Sequence, residues 1–155
     1  MDQIPIKYHK QETDVYCAPA IVQMILDTYG IEAGQSELAD SMETDSHGTP
    51  ILALQNCLIE QGFTSKLKNN ASWEDLEDAL GAGNMVVVGY VEHEEVVGHY
   101  ALIETVLNVE IILADPWHGA HYRIRREDFE RNWKDDEDGA YGERMMLAVT
   151  PPKGM

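Results

Sequence analysis

Apolar residues recur at helical spacing through the first half of the chain and at strand spacing through the second. Ile21, Met24, Ile25 and Tyr29 form one stripe over residues 17–29, closed by Gly30, and that recurrence predicts a helix. Pro19 falls in its first turn, where a missing N–H costs little. Residues 36–42 add a helical turn or two. Beyond them Thr49 can cap and Pro50 can start a helix that turns Ile51, Leu54, Leu58 and Ile59 inward and stops at Gly62. Ser72 caps a fourth helical segment, WEDLEDAL, with Asp75 where a capping box has Glu or Gln.

From Met85 the period changes. Residues 85–91, 99–106, 109–114 and 120–124 are apolar or alternating runs separated by short polar turns, the pattern of antiparallel strands. A short helix over 127–133 leads through the acidic loop DDEDG to a closing strand at 145–149. Helices first and strands after define an α+β class, an N-terminal helical half packed on a C-terminal antiparallel β-sheet. With 155 residues, 44% of them hydrophobic, the chain is expected to form a single domain, residues 1–155, with a core over about 6–150.

Composition narrows the function classes. The formal net charge of −17 repels phosphate backbones, so no nucleic-acid partner is expected, and cationic partners are favoured. An acidic surface that serves solubility alone is the competing reading. No run approaches the ~20 apolar residues of a membrane span, and the first residues lack the apolar centre of a signal peptide, so a cytoplasmic location is expected. Two cysteines do not make a disulfide framework, in keeping with a reducing compartment. Asn70-Ala71-Ser72 fits a glycosylation acceptor but reads more simply as a loop ending in a helix cap.

The candidate chemistry lies in QETDVYCAPAIVQMILDTYG, residues 11–30. Cys17 would open the first helix, where unpaired N–H groups and about half a positive charge bias a thiol toward thiolate, the form that attacks carbonyls. A lone cysteine is more often a small core residue; its companions change that balance. His99 heads a strand and can aim its ring across a cleft, as the base. Asp115 closes a later strand; in an antiparallel hairpin the start of one strand and the end of its successor are neighbours, so the two side chains can touch. Gln11, on the approach to the helix, can offer a side-chain N–H beside the Cys17 backbone N–H as an oxyanion hole. A thiol protease needs these four parts.

Taken together, the blocks resemble a known family, the papain-like cysteine peptidases of the bacteriocin-processing, double-glycine-leader type. Five residues separate Gln11 from Cys17, as in that family; CAPAIVQMILDTYG is similar to its cysteine helix, SHGTPILALQNCLIEQGF to its second helix, GHYALI to its histidine strand and LADPWHG to its Asp-Pro turn. One position departs: Ala18 stands where the family usually has Gly. The resemblance implies a papain-like fold and a peptidase with Cys17 as nucleophile, His99 as base, Asp115 as orienter and Gln11 as oxyanion donor. It implies a peptide or protein substrate, with leader-peptide processing as the precedent, and no cofactor. No nucleotide-binding G-x-x-x-x-G-K-[ST] motif follows, so a whole exporter is not expected. A catalytically silent peptide-binding adaptor and a papain-like acyl transferase remain open alternatives, and oligomeric state is not legible.

Other residues have plainer readings. Cys57 falls near a buried stripe and reads as packing. His118 and His121 with Asp115 have a spacing that zinc could use, but a thiol site accounts better for Asp115. His93 and His47 read as turn residues, His47 also as a candidate cleft residue. Trp117 and Tyr100 are either groove walls or core aromatics. The acidic loop at 135–138 is a solvated connection or an attractor of basic peptide.

Overall fold

The stripe over residues 17–29 forms helix α1, Cys17–Thr28, in the computed structural model of the protein, which describes residues 5–91 and 98–155. Ala18, Ala20, Ile21, Val22, Met24, Ile25 and Leu26 are all fully buried. A helix enclosed on nearly every side sits at the centre of a core, and each large aliphatic side chain placed there contributes about 1.5–3 kcal/mol. Around α1 lie α2 (Gln35–Ser41) and α3 (Ile51–Glu60). Gly30, at φ 81°, ends α1 in the left-handed conformation that glycine adopts without a steric penalty.

Two details of the third helix differ from expectation. Pro50, not Thr49, is its N-cap, without a side-chain bond; the Thr49 hydroxyl instead meets that of Thr44 at 2.7 Å. Ile59 is half exposed. With Leu54 and Leu58 already turned into the core, Ile59 falls outside the buried arc.

The sheet has six strands, all paired antiparallel, in the order β1-β6-β2-β3-β4-β5. They are β1 (Thr64–Lys68), β2 (Met85–Val91), β3 (Gly98–Val106), β4 (Glu110–Asp115), β5 (Gly119–Arg125) and β6 (Met146–Thr150). Strand β1, TSKLK, was not apparent from the hydrophobic pattern. It is an edge strand with exposed alternate residues, a place where lysines are favoured because they discourage further pairing. Val109 is exposed and lies outside β4.

Helices cover both faces of the sheet. One core joins α1, α2 and α3 to Val87, Tyr100, Leu102, Ala114 and Leu147. The other joins α4 (Trp73–Gly81) and α5 (Arg126–Asn132) to Val86, Val88, Tyr90, Ala101, Ile103 and Leu113. Alternation in β2 and β3 thus feeds two cores, which explains why β2 is buried throughout. The predicted capping box starts α4: Asp75 N–H donates to Ser72 Oγ at 3.1 Å and Ser72 N–H donates to Asp75 at 2.8 Å. Residues 70–72 are therefore a helix-capping loop.

Candidate active site

Cys17 is the first residue of α1. The N-cap, Tyr16, provides no side-chain hydrogen bond, and the first turn holds no acidic residue. The leading N–H groups and their partial positive charge are thus left uncompensated by capping, the arrangement that favours an anion. Ala18 is fully buried in the main core, so its methyl packs inward while its backbone N–H remains in the first turn.

His99 comes to the thiol from the sheet. It sits one pair from the end of the β2–β3 ladder, opposite Tyr90, and its Nε2 lies 2.7 Å from Asp115 Oδ1. That leaves Nδ1 for Cys17, with which the ring is within hydrogen-bond reach. Burial alone would push the imidazole pKa down, but the hydrogen bond the ring donates to Asp115, its bond with the Cys17 sulfur and the charge of both outweigh it and hold His99 up at about 10. That balance favours the imidazolium.

Asp115, fully buried, closes β4 and serves as its own turn-former. Besides His99, Oδ1 accepts the backbone N–H groups of Trp117 and His118, each at 2.9 Å. Oδ2 accepts the Tyr90 hydroxyl. Burial works against the carboxylate, yet these donors and the His99 charge keep its pKa below the usual value. Tyr8 donates its hydroxyl to the Asp115 carbonyl at 2.6 Å. Neither tyrosine stood out in the sequence. Tyr90 was legible only through its register opposite His99, where the two rings meet edge-on at 5.5 Å; for Tyr8 no local signal exists.

Gln11 is buried in the adjoining loop. Its backbone N–H donates to Pro116 O at 3.0 Å, tying it to the turn after Asp115. Its side-chain Nε2 donates one N–H to Thr13 O at 2.8 Å, and its buried Oε1 has no partner among the described residues. The structure therefore brings Cys17, His99 and Asp115 into one chain of contacts and holds Gln11 on the neighbouring strand of loop.

The remaining candidates fall elsewhere. Cys57 is buried on α3, and burial pushes its thiol pKa up despite a bond from Ser41. Both cysteines are free. His118 stacks on Tyr122 at 4.2 Å and His121 pairs with Glu104 at 2.6 Å; among the described residues no group of three or more His, Cys, Asp or Glu is set to hold a metal. His47 is an exposed turn residue, its N–H on Asp45. Tyr100 is a core residue whose hydroxyl donates to Thr49 O at 2.7 Å, whereas Trp117 is half exposed beside the site. His93 lies outside the described residues.

A cysteine-headed helix laid against an antiparallel sheet whose strand ends carry histidine and aspartate is the papain-like cysteine peptidase fold. The chain belongs to the Peptidase C39 family, whose model matches residues 5–136. It is 26% identical over 132 residues to the lactococcin-G-processing and transport ATP-binding protein LagD of Lactococcus lactis, covering 83% of this chain but only 17% of that protein. It is 27% identical over 122 residues to an uncharacterised protein of Methanothermobacter marburgensis, covering 79% of each. Among solved structures, the peptidase domain of Streptococcus ComA, a bifunctional ABC transporter of a quorum-sensing pathway, superposes with a TM-score of 0.76 at 20% identity, over 95% of this chain and 99% of that domain. A double-glycine-motif protease from an AMS/PCAT transporter, solved with its leader peptide, gives 0.75 at 15% identity over 96% and 94%. Another, a putative C39-like peptidase from Bacillus anthracis, gives 0.72 at 14% over 97% and 96%.

Proposed function

We propose that the protein is a thiol peptidase that cuts a peptide bond through an acyl-enzyme on Cys17. The observation that carries this reading is the placement of the His99 ring between the Cys17 sulfur and the Asp115 carboxylate, at the uncapped start of α1. The Cys17 sulfur attacks the scissile carbonyl; the oxyanion is received by the Cys17 backbone N–H and the second N–H of the Gln11 amide. His99, held as imidazolium, gives its proton to the leaving amine. It then takes one from water as the thioester is hydrolysed. Asp115 fixes the ring and sustains its charge. Residues of about 6–150 would make up this one catalytic unit, acting where Cys17 stays reduced.

Cleavage of a leader from its cargo, after a pair of small residues, is the substrate class we assign. It rests on membership of the C39 family and on relatives described as processing proteins and double-glycine-motif proteases. The test is incubation with leader-bearing peptides ending in Gly-Gly before the cargo, followed by mass spectrometry. Cleavage after the second glycine, abolished in Cys17→Ala, is expected. Binding without cleavage by the unaltered protein would identify an adaptor, and transfer of the acyl group to an added amine in preference to water would identify a transferase.

A further inference from the structure

The oxyanion role given above to Gln11 demands that a loop residue hold its position, and one buried amide brackets it. Gln35, the first residue of α2, is almost fully buried. Its Oε1 accepts the Glu12 N–H at 2.9 Å and its Nε2 donates to Lys10 O at 2.8 Å. The two bonds fall on the residues immediately before and after Gln11, so the side chain pairs with this stretch of backbone as a neighbouring strand would. The second Nε2 hydrogen goes to Gln23 Oε1, also at 2.8 Å. Gln23 lies on α1, the helix that Cys17 opens, and its own Nε2 is fixed on Ala33 O at 3.0 Å.

The orientation of each amide follows from its partners. Reversing Gln35 would set its oxygen against two oxygens, Lys10 O and Gln23 Oε1, and reversing Gln23 would set oxygen against Ala33 O. Only one arrangement satisfies every group, and Gln35, at the centre, is almost fully buried, so an error there leaves a buried polar atom unpaired. The chain of amides runs from α1 through Gln23 and Gln35 to the backbone on both sides of Gln11. Together with the Gln11 N–H bond to Pro116 O, it fixes that segment on two sides.

We propose that Gln35 is a positioning residue for the reaction: anchored to α1 by Gln23, it sets the register of Gln11 relative to Cys17. This rests on the peptidase reading and on Gln11 as an oxyanion donor. Gln35 touches neither substrate nor sulfur, so its removal should affect the transition state through Gln11 and leave the thiol as it was.

The test compares Gln35→Met, which keeps the length and removes the amide, with Gln11→Ala and with the double variant. Three quantities are read on each: kcat and KM on a Gly-Gly leader peptide, the rate of Cys17 alkylation by iodoacetamide, and affinity for a peptide aldehyde ending in glycinal. The aldehyde adds the Cys17 sulfur to its carbonyl carbon and places the resulting oxygen in the hole without turnover. Gln35→Met is expected to lower kcat by up to about 10²-fold, the effect of a displacement of about 1 Å, and to weaken aldehyde binding. Alkylation should stay near the original rate, and the double variant should be no worse than Gln11→Ala alone.

An unchanged kcat and aldehyde affinity in Gln35→Met, where Gln11→Ala lowers both, would overturn the proposal. So would losses that multiply in the double variant, or an alkylation rate that falls with kcat. If Gln11→Ala itself changes neither quantity, the oxyanion assignment fails, and the role of Gln35 fails with it. Should Gln35→Met not fold, Gln23→Leu keeps the question open to refutation. It releases Gln35 from α1 while sparing its bonds to residues 10 and 12, and it should produce a smaller loss of the same kind that disappears in the Gln11→Ala background; no loss would overturn the proposal.

Discussion

Asp115 carries four donors on two oxygens, and the division between them decides what each contributes. Oδ1 serves the His99 ring and the backbone of the following turn, while Oδ2 depends on Tyr90. Tyr90→Phe would strip a buried carboxylate oxygen of that donor and should cost about 1–3 kcal/mol in denaturant unfolding. Because the Asp115 pKa is depressed in the folded protein, its stabilisation is present above the usual carboxylate value and is lost as pH falls. Tyr90→Phe relieves part of that depression, so the acid loss due to Asp115 should still begin near the usual carboxylate value but be smaller and end at higher pH. His99 has the opposite sign. Its folded pKa of about 10, against an ordinary 6.5, gives stability that is complete below about 6.5 and lost as pH rises to about 10. Unfolding free energy should decline across that window and stay flatter in His99→Ala, and the alkaline limb of kcat/KM should lie near 10. The catalytic candidates were legible because residue type and order along the chain carry their chemistry. Tyr90, Tyr8 and Gln35 were not, since each acts through a contact set by register or by the meeting of distant segments.

At the scale of elements, the histidine strand is held by glycine as much as by pairing. A Cβ on Gly98 would lie 2.6 Å from the Tyr141 ring and hydroxyl and from Asp136 Cβ, and one on Gly89 would lie 2.6 Å from the same ring. Tyr141 is buried and cannot retreat freely, so Gly98→Ala must shift the start of β3 and His99 with it. The expected result is at least a tenfold loss of kcat, with a slower alkylation of Cys17 and a stability loss of about 1–3 kcal/mol. Gly89→Ala, opposite Tyr100 and one residue before Tyr90 on β2, should cost similar stability by the same overpacking. The five helices and the strands β2 to β6 were readable from the pattern, since each buries at least one apolar stripe. Strand β1 escaped because an edge strand whose sequence is TSKLK has only Leu67 to bury. The second layer of helices escaped too: WEDLEDAL announces an amphipathic helix, but not which face of the sheet it will cover.

For the whole molecule, the formal charge of −17 sets a long-range field whose use can be read from salt dependence. If the field steers substrate, kcat/KM on a leader peptide bearing several lysines should fall as ionic strength rises, while an uncharged peptide with the same cleavage site should be unaffected. Parallel behaviour of the two peptides would reduce the charge to a matter of solubility. No helix among the described residues is long and apolar enough to cross a membrane. The two cores, one under α1 and the other under α4 and α5, meet at the site: Cys17 borders the first, and Tyr90, which holds Asp115, belongs to the second. The reacting groups are thus a seam between two separately packed halves of the molecule. Thiol reactivity then becomes a gauge of assembly, because a disturbance that parts the two layers at this seam would slow the reaction of Cys17 with iodoacetamide while the far ends of both layers were still intact.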